Sequence, residues 1–188
     1  RSPSAKVGGV FFANSTLCAA VNENHSRSKY DELIYITMKL FNHTFRAQTK
    51  VPGNIEDVFE FFSDAQNLEL ITPPELSFKI TSPLPIKMKT GALIEYKIRL
   101  FGFSFRWKTI ISKWEQNRQF IDEQLRGPYS KWIHTHTFEK NEGDVIIKDI
   151  VKYRLPFAPF GEIVLPLVKL QLKRIFDYRS KKILELID

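Results

Sequence analysis

Two histidines spaced two residues apart, His134 and His136, lie in the stretch KWIHTHTFEKNEGDVIIKDIVKY at 131–153. In an extended strand this spacing puts both imidazoles on one face, because successive side chains alternate sides. Trp132 and Phe138 fall on the same face by the same count. Asn141 to Asp144 reads as a turn, since Asn and Gly tolerate positive φ. The return strand then carries Val145, Ile147, Asp149, Val151 and Tyr153 on one face. With Glu142-Gly143 as a two-residue loop, His136 lies opposite Asp149 and Trp132 opposite Tyr153. Two imidazoles and a carboxylate set into an apolar, aromatic face predict a cavity wall rather than a packed core.

The chemistry open to such a group is proton transfer. Asp149 would orient the His136 ring and raise its pKa, so His136 and Asp149 are the candidate catalytic residues if the protein is an enzyme. His134, His136 and Asp149 also resemble a two-histidine, one-carboxylate metal set. We adopt the competing reading, with no metal and no cofactor, in which each histidine bonds a nearby carboxylate or backbone group. Glu123 joins the polar cluster if Ile121, Glu123 and Leu125 point inward; the other face, Phe120, Asp122 and Gln124, is left open. Tyr96, Trp107 and Tyr153 either line a pocket, with their polar tips orienting a ligand, or are core aromatics. The candidate ligand-binding set is Tyr96, Trp107, Glu123, Trp132, His134, His136, Asp149 and Tyr153. No nucleophile stands at a recognisable spacing: Cys18 is remote and no Gly-x-Ser-x-Gly occurs. Catalysis here would be of the cyclisation or dehydration kind.

The elements that must position these residues follow from periodicity. HTFRAQTKV at 43–51 alternates as a strand and ends at Pro52-Gly53. Asn54 can cap a helix whose Ile55, Val58, Phe59 and Phe62 keep helical spacing. A second short helix is expected over 65–70, stopped by Thr72-Pro73-Pro74, then a strand over 76–81. A hairpin turning at Phe101-Gly102 pairs Tyr96 with Trp107, Ile98 with Phe105 and Glu95 with Lys108. Strands continue to Trp114 and over 119–126. A long helix over 162–187 closes the chain, with Val164, Val168, Leu172, Ile175, Phe176, Ile183 and Ile187 as its apolar stripe. This order predicts an α+β fold: an antiparallel sheet of about seven strands, curved over a long C-terminal helix, with two short helices after the first strand. A ligand would sit between sheet and helix.

The 188 residues suffice for one domain, and the formal net charge is +7. A lone cysteine allows no internal disulfide, which fits a reducing, cytoplasmic setting. Residues 1–37 read as an N-terminal extension outside a domain at 38–188. They are Ser- and Asn-rich and poor in acids over the first thirty, so an organellar transit-peptide remnant is the alternative. The run 10–21 is too short and too polar to span a membrane. The C-terminal helix has a basic side (Lys169, Lys173, Arg174, Arg179, Lys181, Lys182), so peripheral contact with an anionic membrane is expected there. Nucleic acid is disfavoured, because the aromatics fall on the inner face where bases cannot stack.

The stretches VFEFFSDAQNLELITPPELSF at 58–78, DEQLRGPYSKWIHTHTF at 122–138, DIVKYRLPFAPFG at 149–161 and IFDYR at 175–179 resemble, in order, the START-like, helix-grip superfamily known as SRPBCC, in particular its small bacterial-type proteins. The resemblance implies a cavity for an apolar ligand such as a lipid, quinone or polyketide. It implies no single activity; together with the aromatic inner face and its sparse polar groups it makes a non-catalytic carrier or sensor the first expectation and a polyketide cyclase/dehydratase-like enzyme the alternative.

Overall fold

A computed structural model describes residues 40–187 and, ahead of them, Glu32. The expectations for residues 1–37, and for a domain start at Met38, lie outside the described residues. Seven strands form one antiparallel sheet: β1 (His43–Pro52), β2 (Lys79–Ile80), β3 (Leu93–Leu100), β4 (Phe103–Glu115), β5 (Gln119–Arg126), β6 (Lys131–Asn141) and β7 (Asp144–Arg154). Their order is β1-β7-β6-β5-β4-β3-β2. Among the described residues helices accompany them at α1 (Ile55–Ser63), α2 (Asn67–Leu70) and the 23-residue α3 (Leu165–Ile187). The first strand pairs with the last, so β2 to β7 form a meander and β1 closes its far edge. The sheet curls around α3, which gives the helix-grip arrangement expected from the element order.

Both hairpin registers follow the alternation. His136 lies opposite Asp149 and Trp132 opposite Tyr153. Tyr96 faces Trp107, Ile98 faces Phe105 and Glu95 faces Lys108. Glu95 and Lys108 form an exposed ion pair at 2.8 Å. A one-residue slip would turn every apolar side chain of these strands to solvent, so burial pins the register. Glu142 and Gly143 both hold positive φ, as a tight hairpin turn of this twist requires.

α1 starts where its chemistry says it should. The Asn54 side chain accepts a hydrogen bond from the Asp57 amide at 2.8 Å, which satisfies one of the orphan donors of the first turn. Its Ile55, Val58, Phe59 and Phe62 are buried. Phe59 meets Trp114, Phe120 and Phe138 edge-on across the sheet. α3 lies along the same concave face. Phe176 packs against Phe45 with the rings tilted, centroids 5.0 Å apart, and Ser180 shares a 2.6 Å hydrogen bond with Thr49.

Three boundaries differ from the periodicity. The second helix begins at Asn67, because the Asp64 carboxylate takes the Gln66 amide at 2.9 Å and makes a turn first. The strand expected over 76–81 shrinks to Lys79–Ile80: Pro74–Leu76 is a 3-10 turn, and Ser77 sits in the left-handed region at φ 44°. The last helix is preceded by a 3-10 turn, Phe160–Val164. Val164 therefore falls outside the buried stripe and is 45 % exposed. A side chain at Gly161 would meet the Pro156 carbonyl oxygen at 2.0 Å, so this bend demands glycine.

Candidate functional site

β5, β6 and β7 bring four side chains together on the concave face. Asp122 comes from β5, His134 and His136 from β6, and Asp149 from β7, with Asp122 opposite His134 and His136 opposite Asp149. Each histidine faces both carboxylates. His134 Nε2 is 2.9 Å from Asp149 Oδ1 and its Nδ1 is 3.4 Å from Asp122 Oδ2. His136 Nε2 hydrogen-bonds Asp122 Oδ2 at 3.1 Å. Its Nδ1 approaches the same Asp149 oxygen to 2.8 Å without hydrogen-bond alignment. The two rings stand 3.7 Å apart between centroids. His134, His136 and Asp149 are almost wholly buried.

Burial pushes both carboxyl groups up, and the histidines more than reverse it. Asp149 is held far below the usual carboxylate range by its hydrogen bond from His134 and by the close approach and charge of His136. Asp122 is held down by its bond from His136 and by the charges of His134, His136 and Arg179. Burial also favours neutral imidazoles. At His134 burial and the neighbouring His136 charge win, and the pKa falls. At His136 the two carboxylates win, and the pKa rises. The resulting assignment is two carboxylates, one imidazolium at His136 and one neutral ring at His134. Its tautomer follows from the shorter contact: with Nε2–H donating to Asp149 at 2.9 Å, Nδ1 carries the lone pair. Arg179 supplies the second positive charge, so the cluster balances.

Asp122 and His134 line a cavity of about 120 Å³ between the sheet and α3. Its walls include Tyr96, Trp107, Trp132, Tyr129, Phe78 and Phe176, with Leu100 and Ile175. Tyr96 and Trp107 stack at 17° with centroids 5.7 Å apart, and Trp132 meets Trp107 edge-on. Burial, followed by the Asp122 charge, pushes the Tyr96 hydroxyl well up, so it stays protonated. Three buried polar atoms on these walls have no aligned hydrogen bond: Trp107 Nε1, Thr109 Oγ1 and Arg179 Nε. The Arg179 guanidinium carbon lies 5.0 Å from the Phe176 ring centroid.

Of the expected ligand-binding residues, Tyr96, Trp107, Trp132 and His134 border this cavity. His136 instead borders a crevice under α1 and α2 with Phe61, Asn67 and Ile71. Asp149 contacts His134 Nε2 and His136 Nδ1 and does not border the cavity. Tyr153 packs against Tyr129, Trp132 and His43 away from the cavity wall. Glu123 is a correction. It pairs with Ile133 on the convex face, and Asp122 takes the inward position. The edge of β4 fixes this: a bulge between Ile111 and Lys113 sets Phe120 and Asp122 inward along β5. The charged member of Asp122-Glu123 that turns inward is thus decided by its neighbour strand. Arg179 was counted with the solvated basic side. Its spacing from Leu172, Ile175 and Phe176 was the signal that it shares their inward face.

Asp122, His134 and His136 also offer one ligand atom each within 4.8 Å of one another. They are the residues that could hold a divalent cation, with Asp149 then orienting both rings. This differs from the set read off the sequence, in which Asp149 was a ligand.

No family model matches this sequence, and no curated protein matches it significantly. Solved structures do match in fold. The Zhui aromatase/cyclase of a Streptomyces species aligns with TM-score 0.64 at 11% identity, covering 78% of this chain and 93% of that one. A START superfamily protein of Mycobacterium smegmatis aligns with TM-score 0.59 at 13% identity, covering 77% and 97%. The ginseng (Panax ginseng) major latex-like protein 151 aligns with TM-score 0.54 at 9% identity, covering 78% and 98%. Curled seven-stranded sheet, gripped C-terminal helix and these alignments together give the chain the helix-grip fold of the START-like, SRPBCC superfamily.

Proposed function

We propose that the protein binds one hydrophobic or amphipathic small molecule, of the lipid, quinone or polyketide kind, as a carrier or sensor. The observation that carries this reading is Trp107 Nε1, a buried donor without a partner on a residue that lines the aromatic cavity. An indole N–H left unsatisfied costs on the order of 1–3 kcal/mol, which a ligand oxygen would recover. The volume of about 120 Å³ is close to the ~150 Å³ of an apolar cavity that admits benzene. One ring fills it, and a longer molecule would seat one end there. Native mass spectrometry after gentle purification tests this directly, as does quenching of tryptophan fluorescence by 1-naphthol, a flat ring carrying oxygen. Trp107→Phe should weaken naphthol binding roughly 3- to 10-fold, the worth of one hydrogen bond. Absence of both adduct and quenching refutes the reading.

A second reading, a cyclase- or dehydratase-like enzyme, draws support from the polar edge of the same cavity. Here the acid–base role passes from His136 and Asp149 to His134 and Asp122, the pair that borders the cavity. His134 Nδ1 would accept a proton while Asp149 steadies the ring through Nε2. Turnover of a reactive poly-β-ketone that Asp122→Asn leaves unchanged would refute it.

A further inference from the structure

The two ends of the sheet differ sharply in chemistry. One end carries the turns 53–54, 116–118 and 142–143, built from Gly53-Asn54, Gln116-Asn117-Arg118 and Glu142-Gly143. The other carries the β3–β4 turn, the β5–β6 connection, the passage from β7 into α3 and the first turns of α3. At this second end large apolar side chains stand in solvent: Phe103 is 71 % exposed, Phe157 85 %, Phe160 78 %, Ile163 80 % and Leu170 66 %. Large exposed apolar side chains gathered at one end of a sheet mark an interaction site. Two residues at this end, Phe101 (51 % exposed) and Phe157, are also strained. Phe101 and Phe157 hold φ of 51° and 59°, a region bulky residues rarely adopt. Asn or Gly would sit there more easily, so the chain accepts backbone strain to present phenyl rings outward.

We infer that this end docks on an anionic lipid bilayer, with the phenyl rings at the acyl boundary and a basic rim against the headgroups. Charge decides the occupant. Segments 99–106, 125–131 and 152–174 hold nine Lys or Arg against one acid, Glu162. Glu162 is itself engaged by His43 at 2.8 Å. A second copy of this chain would bring a rim of the same sign. Residues 1–30 are basic too, with Arg1, Lys6, Arg27 and Lys29 against Glu23. An anionic surface is the complement that both lack, and apolar insertion plus cationic attraction is the energetics of interfacial binding. This moves the membrane contact from the basic side of the C-terminal helix to the loop end, with only the start of α3 taking part. The ligand cavity reaches Leu100 and Tyr129, at this same end, but the docking stands whether or not that cavity is filled.

The test is flotation of the full chain with vesicles of phosphatidylcholine and with an equal mixture of phosphatidylcholine and phosphatidylserine. Binding to the mixed vesicles, weakened by added salt, is expected. Phe101→Asn combined with Phe157→Asn should lower partitioning by about tenfold or more, since each buried phenyl is worth that much. The same variant should melt no lower than the parent, because Asn suits the left-handed backbone. Equal flotation with both vesicle types, or undiminished binding by a folded variant, overturns the proposal. So does concentration-dependent self-association without vesicle binding, lost in the variant, which would assign the surface to a second copy.

Discussion

Replacing Asp149 with Asn keeps the shape of the cluster and removes one charge. In the parent, the imidazolium of His136 approaches Asp149 Oδ1 to 2.8 Å and His134 Nε2 donates to the same atom. At an effective dielectric of about 20 the attraction of two unit charges separated by 3–4 Å is roughly 4–6 kcal/mol. The variant keeps a carbonyl for His134 but leaves His136 with Asp122 alone. Breaking one side of a buried pair costs about 3–5 kcal/mol, and the retained hydrogen bond softens this, so we expect a loss of about 3 kcal/mol near neutral pH. The pH dependence follows from the shifts. Asp149 is depressed in the fold, so its contribution is complete above its unfolded value near ~3.9 and is lost as pH falls below that. His136 is raised, so its contribution is complete below about 6.5 and is lost as pH rises through its folded value. The gap between parent and variant should peak at mildly acidic pH and narrow on both sides. Urea denaturation across pH 3 to 9, with a chelator present so that no cation substitutes for a proton, measures it. A variant within ~0.5 kcal/mol of the parent at every pH, the scatter of a neutral surface change, would refute the charge assignment.

Phe59→Ala should cost about 3–5 kcal/mol by denaturant unfolding, since the ring is fully buried among Trp114, Phe120 and Phe138. Asn54→Ala should cost about 1 kcal/mol through loss of the α1 cap, with restoration by Ser or Asp as the control. A chain beginning at Met38 should melt within the range of a neutral change, about 0.5 kcal/mol, if residues 1–37 are dispensable to the domain; a larger loss in a thermal melt would show that they pack on it.

The sequence by itself determined the faces of β6 and β7, both hairpin registers and the capped start of α1. These depend on contacts between chain neighbours joined by one tight turn, where alternation, turn chemistry and burial all favour one answer. It also placed His134, His136 and Asp149 on one face, because a single tight turn joins their strands. The third dimension decided the rest. Whether Asp122 or Glu123 turned inward depended on a bulge in β4, a property of a neighbouring strand rather than of 119–126 itself. Arg179 reads as one more cation of a basic helix in the sequence, and only tertiary packing brings it to the cavity wall that Asp122 shares, where its charge acts on that carboxylate. The depth of the cavity placed His134 and Asp122 at its wall and left His136 and Asp149 behind, although all four share one face. Periodicity orders side chains by face, whereas which of them reach an enclosed space depends on how far the curled sheet stands from the helix it grips.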